Sequence, residues 1–108
     1  MTSKVVLLHS ARRDVEHIYD WIAARSRGGA ARWYTAFLDA ANSLAESHES
    51  CSVAAEGEEI GLAIRQRFFR TRRGRVYRIL FLVVEAEVRI LCVRGPGQRP
   101  VERDEMSG

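Results

Sequence analysis

"VYRILFLVVEAEVRILCVR", residues 76–94, decides how this chain folds. Two runs rich in β-branched and aromatic residues flank a short polar break at residues 85–87, the pattern of paired antiparallel strands joined by a tight turn. Upstream, "LAIRQRFF" (residues 62–69) alternates in a similar way, and "RTRRG" (residues 70–74) supplies a turn between it and the pair. Three strands in an antiparallel meander follow. Side chains alternate across a strand, so Tyr77, Ile79, Phe81 and Val83 share one face and Arg78, Leu80 and Leu82 the other. The bulkier, uncharged set is expected to form the core.

What covers that core lies in the N-terminal half. "KVVLLHS" (residues 4–10) reads as a buried strand, and Ser10 as the cap of the helix after it. In that helix Val15, Ile18, Tyr19 and Ile22 form one apolar stripe. "SRGG" (residues 26–29) ends it, with Gly28 expected in the left-handed conformation. A second helix carries Ala30, Tyr34, Phe37, Leu38, Ala41, Leu44 and Ala45 at helical spacing, so the two helices form an αα-hairpin. Trp33, Tyr34 and Phe37 read as a core stripe and Trp21 as a core margin. Ile79 and Phe81 are expected against Ile18, Tyr19, Phe37 and Leu38. Residues 46–59, "ESHESCSVAAEGEE", show no sustained period and read as an irregular connection. The order β-α-α-β-β-β predicts an α+β domain with both helices on one face of the sheet. A single domain spans residues 1–108, packed from about 4 to 101, with 102–108 a frayed tail.

At 46% hydrophobic and 29% charged, the composition is that of a globular protein. No apolar run reaches the ~20 residues of a membrane helix, and the start has neither the apolar length nor the cleavage site of a signal peptide. A cytoplasmic protein without membrane contact is expected. Cys51 and Cys92 are then free thiols, Cys92 in the core and Cys51 in a loop. "HESC" (residues 48–51) has no second ligand pair, so no metal is expected. "GPG" (residues 95–97) is a turn rather than a phosphate loop, and no cofactor is expected.

Charge is unevenly spread. Residues 1–62 carry six basic and nine acidic residues, net −3, and residues 63–108 carry eleven and five, net +6. All seventeen basic residues except Lys4 are arginines, whose planar forks suit phosphate oxygens. A nucleic-acid partner is the first expectation. Arg65, Arg67, Arg78 and Arg94 are expected to line the sheet face turned away from the helices, and Arg70, Arg72, Arg73 and Arg75 to add nucleic-acid contacts from the turn. Leu80 and Leu82 would mix apolar surface into that face, beside Arg78.

The ordered pattern of strand, "DVEHIYDWIA", "AARWYTAFLDAANSL", acidic loop, "LAIRQRFF", "VYRILFLV" and "VRILCVR" resembles the RelE/ParE superfamily of toxins from bacterial type II toxin–antitoxin systems, over residues 4 to 101. The resemblance implies a toxin held inactive by a cognate antitoxin in a hetero-oligomer, with Arg78, Leu80 and Leu82 offered to that antitoxin. Two activities run in the superfamily: metal-independent, ribosome-dependent mRNA cleavage, and non-enzymatic inhibition of DNA gyrase. For the mRNA endonuclease, the resemblance implies Arg65, Arg67, Arg78, Arg94 and Arg99 as the residues that stabilise the phosphate. Gly95 stands where many members have a histidine. Arginine stabilises charge but is a poor base, and of the remaining proton carriers Tyr77 is expected in the core, with His9, His17 and His48 not placed near Arg78. A basic RNA-binding module without toxicity is the reading outside the toxin class.

Overall fold

The computed structural model describes residues 3–96. In chain order its elements are β1 (Lys4–Leu7), α1 (His9–Ala23), α2 (Arg27–Ser47), a turn of 3-10 helix at His48–Ser50, β2 (Ser52–Val53), α3 (Glu56–Ile60), β3 (Arg65–Phe69), β4 (Tyr77–Val84) and β5 (Glu87–Arg94). The meander is as expected: β3 pairs antiparallel with β4, and β4 with β5. β1 joins it in parallel alongside β5, and β2 extends the other edge, giving the order β1-β5-β4-β3-β2. The class is α+β.

β1 stops at Leu7, opposite Ile90, which leaves the rest of β5 without a neighbouring strand on that side. The helix that follows takes the strand's place. Ser10 Oγ donates to the Leu91 carbonyl at 2.6 Å, and Asp14 Oδ2 accepts from the Val93 amide at 2.9 Å. One helical turn apart, the two side chains lie on one stripe of α1 and satisfy a buried strand edge that would otherwise be costly. Ser10 is therefore not the expected cap. Leu8 holds that position, with no side-chain bond. Gly28 is likewise not the end of α1, which stops at Ala23; it sits in the first turn of α2, capped by Ser26 Oγ accepting from the Gly29 amide at 2.9 Å.

A bulge at Leu91 breaks the alternation of β5: Leu80 faces Cys92 while Phe81 faces Ile90. Ile90 and Val93 consequently join the core under the helices, and Leu91 and Cys92 both turn to the opposite side. The main core holds Val15, Trp33, Phe37, Leu44, Phe69, Ile79, Phe81 and Val88, with Ile18 and Ile22 packed on it. Tyr19 and Leu38, expected there, are each 37% exposed. Of the expected stripe, Trp33 and Phe37 are buried, with Trp33 stacked on Phe37 at 5.8 Å and edge-on to Tyr77 at 5.5 Å, while Tyr34 is exposed. Trp21, expected at the core margin, is 56% exposed with the Arg25 guanidinium over its ring.

The far face of the sheet carries a second, smaller core of Ala54, Ile64, Leu80, Leu91 and Cys92. The segment expected to be irregular folds into the 3-10 turn, β2 and α3, and supplies Ala54 to this core with Ile60 packed on it. Gly61 ends α3 in the left-handed conformation at φ 70°. Both cysteines are free thiols, Cys92 buried and Cys51 half-buried. At the β4–β5 turn Glu85 adopts φ 58°, a region that favours glycine. Glu85→Gly should therefore raise stability by about 0.5–1 kcal/mol in a denaturant titration, offset in part by glycine's unfolded-state entropy. A destabilised variant would show that Glu85 makes compensating contacts.

Candidate functional site

Register sorts the arginines. Arg65 stands opposite Phe81 and Arg67 opposite Ile79, so both point to the helix side of the sheet, on the face that buries those core residues. Arg78 stands opposite Phe68 and Arg94, on the far face with Gln66. The row expected along one face is thus divided between two. Arg65 donates to the Cys51 carbonyl at 2.7 Å and acts as a strap between β3 and the end of the 3-10 turn. Arg67 lies beside Cys51, with its Nε buried and without a hydrogen-bond partner.

The far face is not open either. Arg78 makes a two-pronged ion pair with Glu56 of α3, Nη1 to Oε1 at 3.0 Å and Nη2 to Oε2, and also donates to Gln66 Oε1 at 3.1 Å. The hydrogen bond it donates to Glu56 pushes the guanidinium pKa above its ordinary value, and burial works against that. The Glu56 side chain is only 6% exposed, so losing either partner would strand a desolvated charge. Leu80 is fully buried and Leu82 half-buried under the same segment. The surface of Arg78, Leu80 and Leu82 expected to meet the antitoxin is occupied by the chain itself. Arg94 pairs with Asp14 at 3.4 Å, and Arg99 lies outside the described residues.

Proton carriers do not gather around Arg78. Tyr77 faces the helices within the aromatic cluster, and burial pushes its hydroxyl above its ordinary pKa. Burial likewise pushes the Cys92 thiol up to about 12, leaving it protonated and inert. His48 contacts Ser3 Oγ at 3.3 Å, and His17 lines a cleft with Trp21, Arg75 and Tyr77 on the helix side. Among the described residues no His, Cys, Asp or Glu cluster is suited to a metal ion. The arrangement holds positive charge in place, and the carboxylate beside it, Glu56, has both oxygens engaged by Arg78.

The turn arginines fare differently. Arg70, Arg72, Arg73 and Arg75 are exposed, and the last three line a cleft with Arg32, Trp21 and Trp33.

Three residues that shape these surroundings escaped the sequence reading: Glu56, Gln66 and Asp14. Only Asp14 had a signal, its spacing of four from Ser10 on the polar side of α1. Asp14→Ala should cost about 1–2 kcal/mol by leaving the Val93 amide unpaired. Asp14→Asn should cost less, since the amide oxygen still accepts that proton. Equal losses for the two variants in urea titration would assign the effect to the Arg94 ion pair instead.

A family model described as ParE toxin of the type II toxin–antitoxin system, parDE, matches residues 5–99. No curated protein matches the chain at a significant level.

Proposed function

The chain belongs to the ParE toxin family of type II toxin–antitoxin systems, and from that premise we propose that it arrests growth by binding DNA gyrase rather than by cutting mRNA. Membership brings a protein antitoxin as partner, and the proposed target places the action in the cytoplasm. The observation that carries the gyrase reading is the division of the arginines. Internal attack by a ribose hydroxyl needs a base, an acid and stabilisation of the phosphorane at one spot. Here Arg78 is neutralised by Glu56, Arg65 is tied to a backbone carbonyl on the other face, and Tyr77 faces away from Arg78. A binding protein needs none of that convergence. The mRNA reading would require the ribosome to detach Arg78 from Glu56, since each neutralises the other while they are paired.

Two assays with the purified, antitoxin-free protein separate the readings. Gyrase supercoiling should fall as toxin approaches a stoichiometric amount. Primer extension on mRNA in a translating extract should show no new cleavage ends. Codon-positioned cuts with supercoiling unaffected would overturn the gyrase reading.

A further inference from the structure

The exposed turn between β3 and β4 and the junction of α1 with α2 meet at one end of the molecule. Their shared cleft, about 580 Å³, is lined by Trp21, Arg32, Trp33, Arg72, Arg73 and Arg75. The Gly74 amide donates to the Thr71 carbonyl at 3.1 Å, closing the turn that presents Arg72 and Arg73. A Cβ at Gly74 would come within 2.1 Å of Thr71 Oγ1, so a side chain there would force the Thr71 hydroxyl to rotate. Arg25, Arg27 and Arg70 add exposed charge nearby in the chain. Among the described residues, none of these arginines forms an ion pair. Asp39 borders Arg32 and Arg72 in an adjoining groove.

A second feature belongs to the floor of the same cleft. Trp33 is 2% exposed, and its indole N–H is buried with no hydrogen-bond partner. A buried donor is costly to leave unsatisfied. Here it belongs to a residue that lines the cationic cleft. The first turn of α2, whose Gly29 also lines the cleft, carries no acidic residue and adds the positive end of a 21-residue helix.

We infer that this end is a phosphate-backbone site for duplex DNA, with Arg72, Arg73 and Arg75 as its principal contacts. Planar guanidinium forks on a projecting turn match successive phosphates. A single strand would call for stacking platforms, and the one exposed indole nearby, Trp21, already has the Arg25 guanidinium 3.9 Å from its ring centre. The inference rests on the gyrase reading only for the occasion, since gyrase holds a duplex segment that a bound toxin would meet.

The test is fluorescence anisotropy of a labelled DNA duplex with the full chain, over a range of salt. Removing three phosphate contacts in Arg72→Gln/Arg73→Gln/Arg75→Gln should weaken binding at least tenfold at low salt. It should also flatten the slope of log affinity against log salt by about 2.7. Arg12→Gln/Arg13→Gln/Arg89→Gln, an equal charge loss elsewhere, should cost less than about threefold. The Trp33 indole proton resonance should shift when the duplex is added. Equal losses in the two triple variants, an unmoved Trp33 resonance, or tighter binding of single-stranded RNA of the same sequence would each overturn the site. Gyrase is absent from this assay, so DNA binding lost with supercoiling still inhibited would refute this inference alone. The converse would refute only the gyrase reading.

Discussion

Phe81→Ala is expected to lose about 3–5 kcal/mol of folding stability, a large share of what a domain of this size possesses. The ring is completely buried beneath the helix hairpin in the cluster that holds Phe37, Val15 and Ile90, and its strand is central, paired on both sides. Truncation leaves a cavity that the flanking strands cannot close without disturbing the bulge at Leu91. Urea titration followed by tryptophan fluorescence measures it, because Trp33 sits in the same core. A loss under about 1 kcal/mol would mean that the faces of β4 are assigned the wrong way round.

Gly57→Ala is the second, at about 2–3 kcal/mol, for a different reason. A Cβ at Gly57 would stand 2.2 Å from the Leu62 carbonyl oxygen and 3.0 Å from the Ile64 amide. Both are backbone atoms that no rotamer change removes, so α3 must shift away from the 62–64 segment that leads into β3. The lid over Leu80 would loosen, and Glu56 would move relative to Arg78. Faster hydrogen exchange confined to residues 54–64, alongside the loss in urea titration, is the expected signature. Gly61→Ala meets no atom within 4 Å but must hold φ 70°, so it should cost only about 1 kcal/mol. If Gly57→Ala proved the milder of the two, the close approach of α3 to the 62–64 connection would be wrong.

The meander and the paired helices were legible because period-2 and period-3.6 patterns are local and strong in residues 15–45 and 62–94. Ile79 and Phe81 were placed correctly on that basis alone. Two things escaped. The cover of the far face is built from elements of two and five residues, too short to show a period, so Glu56 could not be matched with Arg78 across more than twenty residues. Register was the other. Alternation places Arg65 and Arg67 together but says nothing of which face they share with β4, and only the pairing of Arg65 with Phe81 settles that. The bulge at Leu91 is silent for the same reason: an extra residue in one strand leaves no mark until its partner is known.

The parallel pairing of β1 with β5 also has a bearing on when the protein becomes whole. Lys4 meets Glu87 and Leu7 meets Ile90, so β1 must wait for a strand made far downstream of it. Long-range closure of this kind is slow and comes late. Until β5 has emerged, the hairpin of helices has no Val88, Ile90 or Val93 to pack on, and Ser10 and Asp14 have no strand edge to hold. A nascent or truncated chain therefore lacks the folded surface of the finished protein. That delay gives a cell making the antitoxin an interval in which the partner can already be present when the toxin first takes shape.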